Sequence, residues 1–163
     1  MVTVWAKREQ TSEREHAMTA TGGRGQLGPV RRFQDLVVWQ KAMDLVDAVY
    51  PPTRSFPPVE RMGLASQMRR SGVSIPSNIA EGYGRRRAGD YARFLYIARG
   101  SLSELQTQII IAKRQDFLDR KQAENLYRLT TEVGKLLYRL IESVERGRNK
   151  RGQIPDNGAT TET

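Results

Sequence analysis

VERMGLASQMRRSGVSIPSNIAEGYGRRR, residues 59–87, reads as one long helix that carries a polar stripe. At about 100° per residue, Arg70, Ser74, Ser77, Asn78 and Glu81 fall within one arc, which Gln67 and Glu60 extend upstream. Ala65, Met68, Gly72, Ile75 and Ile79 recur at helical spacing on another side, where they can meet a core. Pro76 lies inside this pattern. It donates no backbone hydrogen bond, and its ring crowds the carbonyl four residues back, which belongs to Gly72. The reading is a kinked but continuous helix, with Ser74, Ser77 or water available to the freed carbonyl. The competing reading is a loop, SGVSIPSN, between two short helices.

Three more amphipathic segments flank it. Upstream, a helix is predicted over 34–50, with Leu36, Trp39, Met43, Val46 and Tyr50 as its apolar face, flanked by Ala42, Leu45 and Val49. Pro51 and Pro52 stop it. Four prolines stiffen the connector PPTRSFPP, and Phe56 plugs one end of the core. The second helix, 59–83, ends at Gly82-Tyr83-Gly84 through left-handed glycine geometry. A third, 89–114, turns Tyr91, Phe94, Leu95, Ala98, Leu102, Leu105, Ile109 and Ala112 inward. It carries its own second stripe, Ile97, Ser101, Glu104, Gln108 and Ile111, with Gly100 admitting a neighbouring backbone. The fourth, 119–146, starts at the N-cap Asp119 and shows a seam of Gln122, Leu126, Leu129, Val133, Leu136, Leu140 and Val144, widened by Leu137 and Ile141. Residues 1–32 and 147–163 have no sustained apolar period and are expected to be disordered tails. The whole predicts an all-α, antiparallel up-down-up-down four-helix bundle spanning 33–146.

FQDLVVWQKAMDLVDAVY (33–50), GLASQMRRSGVSIPSNIAEGYGR (63–85) and FLYIARGSLSELQTQIIIAKR (94–114) together resemble the four-helix-bundle proteins encoded in intervening sequences of large-subunit ribosomal RNA genes. That family is in turn similar to the accessory variability proteins of diversity-generating retroelements. The resemblance implies an antiparallel bundle that assembles as a ring, typically a pentamer, and an association with nucleic acid. It also implies a protein partner such as a reverse transcriptase, and no known reaction.

Composition narrows the chemistry. The chain has 163 residues, enough for one domain with a core, and no cysteine, which removes disulfides, thiol nucleophiles and cysteine-ligated zinc together. Its one histidine, His16, lies in the polar N-terminal stretch. No Glu-x-x-His pair of the di-iron bundles is present, and Gly82-x-Gly84 follows a helix where phosphate-binding glycine motifs follow a strand. No catalytic residue, metal site or cofactor is therefore assigned. No apolar run approaches the roughly 18 residues of a membrane span, and no secretory leader is visible, so a cytoplasmic protein with no membrane partner is expected.

The net charge of +9 comes from 27 basic and 18 acidic residues and points towards nucleic acid or another anionic surface. Residues 1–32 hold six basic and three acidic groups, 146–163 four and two, and 33–145 the remaining 17 and 13. Arg85, Arg86 and Arg87 form a candidate phosphate patch, with Arg69 and Arg70 as further nucleic-acid contacts, because guanidinium groups grip phosphate in a two-pronged geometry. The alternative for the triplet is a solvated loop complementing the C-terminal end of the preceding helix. For the stripes, expected partners are Glu104 for Arg70, Gln108 for Asn78 and Glu81 for Ser77. A hydrogen-bond network fixing helix register, a subunit interface and a ligand site all remain open. Val37, Val38, Ile97, Ile110 and Ile111 lie off the main seams, which predicts a homo-oligomer. Two functions follow: a non-enzymatic oligomeric bundle that binds RNA or DNA through basic surface as an accessory factor, or a protein–protein scaffold without a nucleic-acid role.

Overall fold

The computed structural model describes residues 30–85 and 87–152, excepting the side chains of 149–152. Four helices account for nearly all of it: α1 (Val37–Arg54), α2 (Leu64–Tyr83), α3 (Ala88–Arg114) and α4 (Arg120–Gly152). There is no strand among the described residues. Each helix packs on the next in sequence and α1 closes against α4, so the four enclose one core as an all-α bundle. Phe56 is buried against Phe117, with ring centroids 5.5 Å apart, and seals the pole that holds the α1–α2 and α3–α4 connections. The tail expectations for 1–29 and 153–163 lie outside the described residues.

α1 departs from expectation at both ends. Phe33–Asp35 winds into a separate 3-10 turn, held by the Asp35 carboxylate, which accepts from the Arg31 and Arg32 amides and from Arg32 Nε. The helix then runs through Pro51 and Pro52 to Arg54. Proline fixes a helix-compatible φ, so two prolines near a C-terminus remove only two ladder bonds. Thr53, fully buried, adds others: its hydroxyl lies 2.9 Å from the Val49 carbonyl and 3.0 Å from that of Tyr50. The deepest row is Val38, Ala42, Leu45 and Val49, while Trp39, Met43 and Tyr50 are only half-buried. Val38, expected off the seam, is core.

α2 is shorter than the 59–83 expected, because Pro58–Arg61 forms a 3-10 turn and the chain breaks at Gly63. Glu60 therefore leaves the stripe and becomes a cap, its Oε2 accepting from Leu64 N at 2.9 Å. A Cβ on Gly63 would sit 2.5 Å from that oxygen, so a side chain there would make the Glu60 carboxylate shift from its present capping position. The helix is unbroken through the buried Pro76, which excludes the loop reading. Ser77 Oγ donates to the Val73 carbonyl and Ser74 Oγ lies against Ser101 Oγ, each at 2.8 Å, so neither is bonded to the Gly72 carbonyl. No left-handed glycine ends α2, since Gly84 has φ −72° and ψ −7°. The positive φ among described non-glycine residues is at Asp116, 56°, in the turn before α4. Pro76→Ala is expected to preserve the fold and to slow amide exchange at the following turn, because it restores one ladder bond. Faster exchange there would contradict this.

α3 buries the row expected of it, with Tyr91 and Phe94 half-buried at its N-terminal end. A Cβ on Gly100 meets nothing within 4 Å, so no backbone among the described residues approaches there. α4 begins on a reciprocal cap: Gln122 N donates to Asp119 Oδ1 at 2.7 Å and Asp119 N to Gln122 Oε1 at 2.9 Å. Gln122 is thus exposed cap, not seam. The buried row is Ala123, Leu126, Thr130, Val133, Leu137 and Ile141; Leu129, Leu136, Leu140 and Val144 are half-buried beside it. Two leucine-rich rows satisfy the same helical period, and the position of α3 decides between them. The helix continues past the expected 146 to Gly152, with Arg146 Nε bonded to the Glu142 carbonyl at 3.3 Å in its last turns.

Candidate functional site

The two polar stripes meet across the α2–α3 seam, with partners other than those expected. Ser71 Oγ donates to Glu104 Oε2 at 3.2 Å, Ser74 and Ser101 hydroxyls lie 2.8 Å apart, and Asn78 Nδ2 donates to Ser74 Oγ at 3.0 Å. Arg70 does not pair with Glu104, because it points outward while Ser71, one position on, turns inward. Asn78 folds back on its own helix, so it does not reach Gln108. Gln108 Oε1 is buried with no hydrogen-bond partner among the described residues. Glu81 pairs with Arg85 instead of Ser77. Beside the ladder lies an open groove of about 1060 Å³, lined by Arg61, Arg70, Ser71, Ser74, Ser101, Glu104 and Gln108 among others. Val73, Ile97 and Ile111, each a little over two-fifths exposed, border the same face.

The arginines divide into tied and free. Arg69 is a strut between α2 and α1: Nε donates to Thr53 Oγ1 at 2.9 Å and its guanidinium lies 5.4 Å from the Tyr50 ring centre. Arg85 pairs with Glu81 and lies 4.8 Å from the Phe94 ring centre, so its charge complements the end of α2. Arg86 lies outside the described residues. Arg87 is exposed at the N-cap of α3. The fold adds two arginines that sequence reasoning missed, Arg93 and Arg148, which line one hollow of about 510 Å³ with Gly89, Tyr96 and Glu145. Only the register of α3 against α4 brings them together, and no short-range sequence signal carries it.

Tyr96 anchors that hollow. Its hydroxyl donates to Glu145 Oε1 at 2.8 Å, a bond that holds its pKa above the ordinary tyrosine value, and Arg99 lies 4.6 Å from its ring centre. Tyr91, packed edge-on against Tyr83, has a buried hydroxyl without a partner among the described residues, and burial pushes its pKa up to about 12. No group of three potential metal ligands occurs among the described residues.

The family described as 23S rRNA-intervening sequence protein matches residues 34–139, most of the chain and nearly the whole bundle. The chain belongs to that family. A crystal structure of a protein with unknown function from the S23 ribosomal protein family of Bacteroides thetaiotaomicron is similar to this member, with a TM-score of 0.61 and 25% identity over 65% of this chain and 96% of that one. No curated protein matches. Neither description names a reaction. No helix among the described residues is long and apolar enough to cross a membrane.

Proposed function

We propose that this intervening-sequence family member is a non-enzymatic, cytoplasmic, self-associating bundle that binds nucleic acid. It does so through guanidinium groups at the pole where α3 begins and α4 ends. The observation that carries this reading is the state of Arg87, Arg93 and Arg148. All three are exposed, and none forms an ion pair among the described residues. Arg70, exposed on the groove rim, is a secondary contact. Self-association uses the α2–α3 face, where Val73 lines the open groove and Ile97 and Ile111 are exposed on the same side of α3 as Ser101, Glu104 and Gln108; a five-membered ring is the form the family resemblance implies. An accessory role towards an RNA-handling enzyme such as a reverse transcriptase belongs to the same proposal. The second reading is a protein scaffold, favoured by the buried, partnerless Gln108 Oε1 on that face.

Titration with RNA, duplex DNA and hybrid duplex over a salt series, with mass measured alongside, tests the reading. Each phosphate neutralised contributes about 0.9 to the slope of log affinity against log salt on duplex DNA. Joint replacement of Arg87, Arg93 and Arg148 by alanine is expected to make that slope shallower by about 2–3 per engaged subunit and to weaken binding on every sequence alike. An unchanged slope at matched oligomer mass would remove this pole from the interface and leave the scaffold reading standing.

A further inference from the structure

Three tyrosines lie open to solvent on one edge of the bundle: Tyr96 at 39% exposure, Tyr127 at 45% and Tyr138 at 56%. On α4, positions 127, 138 and 145 fall within about 20° of a single line, at 100° per residue. The Tyr96–Glu145 hydrogen bond places the third ring at the end of that line. At about 1.5 Å rise per residue the rings spread over roughly 27 Å, too far apart to pack on one another. Gln106 Nε2 donates to Thr130 Oγ1 at 3.2 Å, and Leu102 faces the bare backbone of Gly134. That register sets Arg99 level with Tyr138 and exposed Ile110 level with Tyr127. Charge along the edge is one-sided in availability. Glu145 is taken by Tyr96, and Glu142 by Tyr138 and Arg146. Arg148, beside Tyr96 and Glu145, has no carboxylate partner among the described residues, and Arg99 rests on an aromatic ring instead.

We infer that this α3–α4 edge is a stacking strip for single-stranded nucleic acid, with unpaired bases on Tyr96, Tyr127 and Tyr138 and phosphates on Arg99 and Arg148. The inference rests on the nucleic-acid reading above and narrows it to a strand class. Exposed rings interleaved with cations suit a strand whose bases are free, because a duplex keeps its base faces stacked and offers only edges and phosphates. A protein segment would need carboxylates to meet the arginines and would gain nothing specific from separated rings.

The test uses the full chain, a labelled oligouridine and a duplex of equal length, at two salt concentrations. Tyr127→Ala with Tyr138→Ala is expected to weaken oligouridine binding about tenfold or more without changing the salt slope, and to leave duplex binding within about twofold. Phenylalanine at both positions keeps the rings and is expected to keep the affinity. Because both rings are exposed, melting and oligomer mass are expected to stay at wild-type values. Undiminished oligouridine binding, an equal loss on duplex, or a change of mass in the alanine variant overturns the strip but not nucleic-acid binding itself. A wild-type chain that binds neither probe overturns both.

Discussion

Aspartate at both Ile97 and Ile111 is expected to abolish the proposed self-association while leaving the bundle folded. Both side chains are more than two-fifths exposed, so the substitutions disturb little of the core. They lie four helical turns apart on one side of α3, flanking Ser101, Glu104 and Gln108. A copy docked on this face would have to desolvate two new carboxylates, at several kcal/mol per unpaired ion. Light scattering at micromolar concentration distinguishes the outcomes. Wild-type oligomer and variant monomer with unchanged helicity is the expected pair. A variant that keeps the wild-type mass places the subunit contact elsewhere, and a monomeric wild type removes self-association from the proposal. Binding to long nucleic acid should weaken with assembly, since linked copies engage one strand at high effective concentration.

The second large effect is on stability, and it lies at a glycine other than the one that sequence spacing suggests. A Cβ on Gly72, beside Pro76, would meet Val49 and Leu105 at 3.9 and 4.0 Å, which is ordinary contact. A Cβ on Gly82 would lie 2.8 Å from Tyr91 Cδ2 and 2.9 Å from Phe94 Cβ, both on α3. Gly82→Ala must push α3 outward or turn Tyr91, an overpacking that costs about 1–3 kcal/mol, against which the better helix propensity of alanine returns less than about 1. The melting temperature is expected to fall by about 5 °C, given roughly 4 °C per kcal/mol for a domain of this size. Gly100→Ala is the control: its Cβ meets nothing within 4 Å among the described residues, so the same substitution should stabilise. Equal shifts at the two sites would show that the approach at Gly82 relaxes freely.

Much of this was legible in the sequence because a helical period is a local signal. The four helices, the continuity through Pro76 and the Asp119 cap all depend on residues within a few turns of one another, and Phe56 stood out as the one aromatic of a stiff connector. The polar ladder was half legible. Ser74, Asn78, Ser101 and Glu104 stand out as polar lines on apolar helices, yet their pairing depends on how α2 and α3 are rotated. Ser71 escaped notice because a serine between Arg70 and Gly72 looks solvated. The end of α1 was misread through a rule that is sound for helix interiors: Pro51 and Pro52 remove only two ladder bonds near the C-terminus, and the Thr53 hydroxyl adds bonds to the Val49 and Tyr50 carbonyls. Arginine triplets drew attention to Arg85–Arg87, whereas the fold ties Arg85 to Glu81 and raises Arg93 and Arg148 from separate helices into one hollow.

The antiparallel order has a practical corollary for handling the molecule. Tyr83 hydrogen-bonds to the carbonyl of Val30, and Tyr96 to Glu145, so the described chain enters and leaves the bundle at the same pole as Arg87, Arg93 and Arg148. Anything inserted just before Val30 or just after residue 152 is placed beside those arginines, where it would compete with the proposed strand for space. Ser55 and Gln115, exposed in the connections at the far pole around Phe56 and Phe117, are the better attachment points for a dye, a surface linker or a purification handle.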